Sequence, residues 1–319
     1  MTVNHSGTVN ALFHDGLALV SLGSGSRGNA TYVGDGRRGV LIDCGLSAQQ
    51  VVDRLAAVGL ADAPIDAVLI THEHTDHVAA AAVLDRRLHR LTGAHVPFFM
   101  TEGTARQLHP KVRPTRVEHV TPGQPVQLTG WTLEPHPVPH DTAGPVAWAV
   151  EARGVRVGVI TDLGHVPNSI TQLLAGLDLA VLEFNHDPEL LLDGPYPWAL
   201  KQRIRGGHGH LSNRQAAALL RAAGAGRLQQ VVLAHLSEEN NRPALALQAA
   251  ELALRDAGAH DVRIHVGAQG SPTGPLRAGA RPVAVPRAAP VRTGRAAPRT
   301  SERAASQPSL FATTPSPPQ

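Results

Sequence analysis

With 319 residues, 42% of them apolar and 3% aromatic, the chain can build one large α/β body or two modest ones around a core of Ala, Val and Leu. A lone cysteine, Cys44, excludes an internal disulfide and a cysteine-based zinc site; no run of about 18 apolar residues and no basic-then-apolar leader occurs, so a cytoplasmic chain without membrane span or signal peptide is expected. The net charge of +3 is uneven: residues 271–319 carry seven Arg and one Glu, leaving 22 basic and 25 acidic residues in 1–270, a body whose bulk charge does not advertise a polyanionic partner.

Residues 1–15 read as a loosely ordered lead, followed by a strand over 17–22 and a turn over 23–29, where Gly and Asn tolerate unusual backbone angles. Paired strands are expected at 31–33 and 39–42, and Ser47 can cap a helix running to about Val58. An apolar strand over 66–70 delivers the chain into Thr71-His72-Glu73-His74, after which 78–88 is helical in pattern. A strand over 96–100, a short helix from Thr101, and extended segments over 117–138 come next. Residues 146–151 and 155–160 form a hairpin with Arg153-Gly154 at its turn. Strands over 179–183, 230–234 and 262–266 alternate with helices over 199–205, 212–220 and 243–255, the last begun by Pro243. A strand-rich first half and a helix-then-strand second half suggest sheets covered by helices, a layered α/β body over 1–270. Residues 271–319 hold ten of the 25 prolines and few bulky apolar side chains, so a disordered Pro/Ala/Arg-rich tail is expected there.

The chemistry concentrates in the loop holding His72, His74, Asp76 and His77, between a strand and a helix. His72 and His74 are two apart, so an extended stretch points them the same way; Asp76 and His77 are adjacent and can feed neighbouring ions. Imidazole and carboxylate together suit zinc, manganese or iron. His140, Asp162 and His235 each follow an apolar or extended stretch, on rigid platforms that open onto loops. A consistent partition puts His72, His74 and His140 on one divalent ion and Asp76, His77 and His235 on a second, with Asp162 bridging. Two such ions about 3.5–4 Å apart can share one hydroxide, the attacking nucleophile, which Asp76 helps to orient.

Around this set, Asp43 is either a support for the metal loop or a turn-capping aspartate. Ser237, Asn240 and Asn241 can tie down the loop after His235. The turn over 23–29, with Ser26, Arg27 and Asn29, is either an anion-binding nest for a phosphate or an ordinary tight turn; it lacks the Lys-Ser/Thr ending of a nucleotide loop. His186 and His210 are both candidates for general acid, with no sequence basis for choosing between them. Lys201, Arg203 and Arg205 either line a groove and contact phosphates or are solvated. Tyr196 and Trp198 are either base-stacking rings or core anchors.

The order His72-x-His74-x-Asp76-His77, then His140, Asp162 and His235, resembles the metallo-β-lactamase superfamily along most of residues 17–266. Ser24-Gly25-Ser26-Arg27-Gly28-Asn29, Glu183-Phe184-Asn185-His186-Asp187, Pro195 to Ile204, Gly209-His210-Leu211-Ser212-Asn213 and His235 to Asn241 resemble its YycJ/WalJ-like branch. Arg27 departs from the small residue common in that loop. The resemblance implies a four-layer αββα sandwich with two divalent ions, zinc or manganese, between its sheets. With 21 residues between His140 and Asp162 and no later gap able to hold a full extra domain, no β-CASP insertion is expected. It further implies a dimetal phosphodiesterase, a 5′-to-3′ exonuclease on double-stranded DNA. A metallohydrolase for a small substrate (a cyclic nucleotide or other phosphodiester, a thioester or a lactam) is the alternative, and a metal-binding scaffold without turnover is a third reading.

Overall fold

The computed structural model describes residues 16–224 and 226–279, and their strands build two seven-stranded sheets. The first has the order β14 (Thr273–Gly279), β1 (Gly16–Gly23), β2 (Ala30–Gly34), β3 (Gly39–Ile42), β4 (Ala67–Leu69), β5 (Phe98–Thr101) and β6 (Val117–Val120). The second runs β13 (Arg263–Val266), β12 (Gln230–Ala234), β11 (Leu179–Glu183), β10 (Val155–Ile160), β9 (Val146–Ala152), β8 (Trp131–Pro137) and β7 (Val126–Leu128).

Period-two alternation assigns each strand's side chains to two different cores. Leu17, Leu19, Ala67 and Leu69 face Trp148, Val157, Val181 and Val232 between the sheets. The intervening residues Ala18, Val20, Val68 and Ile70 face outward, toward Val51 and Leu55 of helix α1 (Ala48–Ala57) and Leu84 and Leu88 of α3 (Ala81–Thr92). On the second sheet Ala147, Ile160, Leu182 and Leu233 pack against Ile170 of α5 (Asn168–Ala175), Leu219 of α8 (Asn213–Ala223) and Ala246 of α9 (Pro243–Asp256). Three aliphatic cores thus separate four layers, αββα, with no inserted domain among the described residues. Both faces of the inner strands β1–β5 and β9–β12 are covered, which is why these strands read as apolar runs rather than as half-polar alternations.

The predicted β2–β3 and β9–β10 pairs are antiparallel neighbours. Arg153 and Gly154 take φ of 54° and 72° at the second turn, as a tight two-residue hairpin requires. Ser47 and Ser212 each close a capping box with the residue three positions on, fixing the starts of α1 and α8. Three helices absent from the sequence reading, α2 (Thr75–Val78), α5 and the short α6 (Pro188–Asp193), are too brief to show a helical period.

The boundary placed at residue 270 needs correction. Thr273–Gly279 is strand β14, antiparallel to β1, with Leu19 opposite Leu276 and Leu17 opposite Ala278. Leu276 and Ala278 are each 3% exposed and join the inter-sheet core. Burying these alternate residues offsets the ordering cost that the proline-rich composition suggested was unmet. The expectations for residues 1–15 and 280–319 lie outside the described residues.

Strands β3 to β6 run parallel, and so do β10 to β13. In parallel sheets the loops after the carboxyl ends open on one edge, the usual place for a site.

Candidate metal centre

All the predicted ligands except His140, which follows the antiparallel strand β8, lie at such an end, as does Asp43. Asp43 follows β3, the loop 71–77 follows β4, Asp162 follows β10 and His235 follows β12. Asp43, Asp162 and His235 hold φ of 60°, 61° and 56°, a left-handed conformation that side chains other than glycine rarely adopt. Each sharp turn aims its side chain back over the strand end. The metal loop is also braced from the opposite sheet: Trp148 Nε1–H donates to Ile70 O at 3.0 Å and Val146 N–H to Thr71 O at 3.0 Å.

The side chains converge in two sets. The ligand atoms of His72, His74 and His140 lie within 4.8 Å of one another, as do those of Asp76, His77 and His235. Asp162 faces both: its Oδ2 is 3.3 Å from His77 Nε2, and its Oδ1 is 4.0 Å from His140 Nε2. Within the sets His72 Nε2 is 3.1 Å from His74 Nδ1, and His140 Nε2 is 3.4 Å from the same atom. Asp76 Oδ2 lies 3.4 Å from His77 Nε2 and 3.5 Å from His235 Nε2. Ligands about 2.0–2.1 Å from a tetrahedral ion are roughly 3.3 Å apart, so the spacing fits direct coordination.

The reverse sides of three of the rings are occupied. Asp43 Oδ2 is 2.8 Å from His77 Nδ1, Gly209 O is 3.1 Å from His140 Nδ1, and Thr71 Oγ1 is 3.0 Å from His72 Nδ1. A carboxylate or carbonyl on Nδ1 keeps the proton there and turns the Nε2 lone pair inward. Asp43 also accepts Thr71 N–H at 2.8 Å, so one carboxylate fixes both the loop backbone and a ring.

Burial, then the neighbouring His77 and His140 rings, pushes His72 well below the ordinary histidine range, and burial likewise lowers His140. Both therefore offer lone pairs at neutral pH. For His77 and His235 burial opposes charge but the carboxylates outweigh it: Asp43 and Asp162 raise His77, and Asp162, Asp76 and Glu183 push His235 up to about 10. Asp76 is held below the usual carboxylate range by His235 and His77, against burial. Such a cluster calls for positive charge, which divalent ions supply while displacing the protons. Asp162 Oδ2 and His235 Nε2, buried without a hydrogen-bond partner among the described residues, point the same way. The arrangement is that of a two-metal site of the zinc or manganese type.

His74, Asp76, Asp162, His210 and His235 line one side of a cleft of about 270 Å³, with Tyr196, Leu200, Ile204 and Leu236 on its apolar side. Ser26 and Arg203 also border it, the latter 57% exposed and paired with Asp141 at 2.6 Å. Trp198 is 58% exposed and Tyr196 partly buried, so neither is a core anchor.

Several contact candidates are occupied within the protein. Lys201 is buried, and its ammonium donates to Leu192 O at 2.6 Å and Gly194 O at 2.7 Å, so it holds the 192–194 turn instead of facing a phosphate. Arg27 pairs with Glu238 outside the cleft. All but one of the amides expected to form a nest are spoken for: Gly25 N–H goes to Asn29 Oδ1, Arg27 N–H to Gln269 Oε1, Gly28 N–H to Gly25 O and Asn29 N–H to Asp76 O, which leaves the single N–H of Ser26 at the cleft. Asn29 Nδ2 reaches Asp76 Oδ2 at 3.2 Å, and Ser24 Oγ accepts His235 N–H at 2.7 Å. The turn therefore positions two ligands and is not an open anion cradle. Asn240 stays clear of the ligands; its carbonyl accepts Asp187 N–H at 2.8 Å.

His186 is 2% exposed, lies outside the cleft lining and is pushed down to about 4 by burial. His210 lines the cleft, its Nδ1 2.8 Å from Glu183 Oε1. Sequence reasoning gave Glu183 no role, although it ends β11 as Asp162 and His235 follow β10 and β12. Fully buried, it accepts from Leu163 N–H and Leu211 N–H and lies 3.4 Å from His235 Nδ1. Asn185, two residues on, donates to His235 O at 3.0 Å.

A family model described as the beta-lactamase superfamily domain matches residues 38–236. Exodeoxyribonuclease YycJ of Bacillus anthracis is 32% identical over 248 residues, covering 76% of this chain and 91% of that protein. Exodeoxyribonuclease WalJ of Streptococcus pneumoniae is 33% identical over 226 residues, covering 70% and 83%. The crystal structure of the metallo-beta-lactamase fold protein YhfI from Bacillus subtilis superposes with a TM-score of 0.62 at 16% identity, over 83% of this chain and 100% of that one, a likeness of fold. With its αββα layers, its paired ligand sets at the sheet edge and these relatives, the chain belongs to the metallo-β-lactamase superfamily, in the branch of YycJ and WalJ, as a metal-dependent hydrolase.

Proposed function

We propose that the chain is a dimetal phosphodiesterase that degrades double-stranded DNA from a 5′ end. The observation that carries phosphodiester chemistry is the two ligand sets joined by Asp162 beside His210, in a cleft open to solvent. The likeness to two exodeoxyribonucleases over most of their length supports DNA as the substrate. Divalent ions held by these residues supply positive charge to the phosphoryl oxygens and acidify water.

The chain's own residues do the remaining work. Asp76 accepts the proton of an attacking water and, with Asp162, holds that water in line. Glu183 accepts the His210 Nδ1–H, which fixes the ring, and in the imidazolium form the remaining Nε2–H is the proton given to the departing alkoxide, returning the ring to neutral. His186, buried and neutral, is thereby set aside as the acid. Arg203, bordering the cleft, offers a guanidinium to a phosphate oxygen on exchange with Asp141. Tyr196, Leu200 and Ile204 present an apolar wall suited to the sugar and base attached to that phosphate.

The test uses purified protein with Mn²⁺ and with Zn²⁺ on end-labelled duplexes bearing or lacking a 5′-phosphate, beside bis-p-nitrophenyl phosphate. Mononucleotide release from DNA ends, abolished by Asp76→Asn, is expected. One observation favours a small phosphodiester instead: Lys201, one of the cations proposed for DNA, is buried and holds backbone carbonyls. Cleavage of the small ester with duplexes left intact would select that reading.

A further inference from the structure

The positive charge missing from the bulk count is gathered in one place. Residues 86–116 carry seven basic side chains and one acidic, Glu102, whereas the rest of 1–270 carries 15 basic and 24 acidic. A net of +6 thus sits on a short segment of a body that is otherwise −9. Arg86, Arg90, Arg106, Lys111, Arg113 and Arg116 are all exposed.

The fold joins these residues into one surface. Arg86 and Arg90 are one turn apart on α3 and share a face. Buried Asp85 accepts Thr115 N–H at 2.8 Å, which pins the 113–116 turn against α3. The Arg113 guanidinium donates to Ala105 O, tying that turn to α4 (Glu102–Gln107). Helix α4 abuts the metal edge: Thr101 Oγ1, at its N-cap, donates to Gly144 O at 2.8 Å, and Glu73 of the metal loop accepts Ala143 N–H at 2.9 Å. The surface therefore runs from the rim beside His140 down the outer side of the first sheet. Helix α3 alone, at 12 residues, is about 18 Å long, the reach of about five phosphates along one strand of a duplex. Arg106 and Arg116 pair with Glu102 and Glu118, while Arg86, Arg90 and Lys111 have no carboxylate partner among the described residues.

We propose that this surface holds the phosphate backbone of a duplex whose end lies in the metal cleft, an inference that rests on the DNA reading above. It binds by charge and not by base contacts, so it sets affinity and salt dependence without taking part in bond cleavage. Arginine fits here because its planar fork pairs with phosphate oxygens.

The experiment compares the full chain with the triple variant Arg86→Glu/Arg90→Glu/Lys111→Glu, both metal-loaded. The seven arginines of 271–319 are common to both proteins, so the ratio isolates the surface. Anisotropy with a phosphorothioate-blocked, fluorescein-labelled duplex is followed from low to moderate salt. The variant is expected to bind at least about tenfold more weakly at low salt, with a slope of log K against log salt shallower by about 2.7, three phosphate contacts' worth. Hydrolysis of bis-p-nitrophenyl phosphate stays within about twofold of the parent, which shows an intact fold and metal site. Equal duplex affinity and equal slope in the two proteins, with DNA still degraded, overturn the surface alone. A parent chain that cleaves the small ester but neither binds nor degrades duplex overturns the DNA reading and the surface together.

Discussion

Replacing Asp43 with Asn changes one atom at the hinge of the metal site. The fold should tolerate it, because asparagine adopts the left-handed conformation that Asp43 holds at φ 60° better than any other residue with a side chain of that size. The carboxylate uses both oxygens, Oδ1 on Thr71 N–H at 2.8 Å and Oδ2 on His77 Nδ1 at 2.8 Å. An amide has one acceptor. With its oxygen kept on Thr71 N–H, its NH₂ faces His77 Nδ1, which must then become the acceptor. The ring proton moves to Nε2, the atom 3.3 Å from Asp162 Oδ2 and 3.4 Å from Asp76 Oδ2, where a lone pair is needed. Loss of such an outer partner weakens metal binding about 10–100-fold, about 1.4–2.7 kcal/mol. Competition with a chromogenic chelator measures it, with circular dichroism to show that the fold persists. A D43N protein that holds both ions with the parent's affinity would refute the assignment of Asp43 as the group that sets the His77 tautomer.

Glu183→Gln should lower kcat on duplex DNA by about 10–100-fold while leaving hydrolysis of bis-p-nitrophenyl phosphate, whose p-nitrophenolate departs without a proton, near the parent rate; an unchanged kcat on DNA, or an equal loss on both substrates, would remove His210 from the acid role. His186, pushed down to about 4, binds protons in the unfolded chain before the folded one, so its stabilisation is full above about pH 6.5, is lost as pH falls toward 4 and amounts to about 3 kcal/mol. Urea unfolding in EDTA at pH 7, 6 and 5 should therefore show a shallower acid-side loss for His186→Gln; parallel curves would contradict it. Truncation after Gly279 should leave Tm unchanged, whereas truncation after Gly270 removes β14 and exposes the inter-sheet core, with Leu276 and Ala278 together worth about 3 kcal/mol, or roughly 6–12 °C. Equal melting of the two truncated proteins would show that β14 adds nothing.

The parts legible in the sequence are those where one local signal suffices. Apolar runs ending in His or Asp gave β4, β10 and β12 together with His72, Asp162 and His235, because a covered parallel strand must be apolar and its end must open onto a loop. Ser47 and Ser212 announced their helices because a capping box is written within four residues. What was hidden depends on partners distant in the chain. Strand β14 sits in proline-rich composition, and only its pairing with β1, some 250 residues away, turns Leu276 and Ala278 inward. Lys201 and most amides of 23–29 look like phosphate ligands until carbonyls and side chains from elsewhere claim them. Glu183 escaped notice because a buried carboxylate among apolar residues declares itself only when His210 and His235 are placed beside it.

Everything rests on two ions sharing Asp162. Crystals grown with manganese and measured on both sides of its absorption edge give the direct answer. The account predicts two anomalous peaks, one among His72, His74 and His140 and the other among Asp76, His77 and His235, both within bonding distance of Asp162. A single peak, or peaks remote from these side chains, would contradict it.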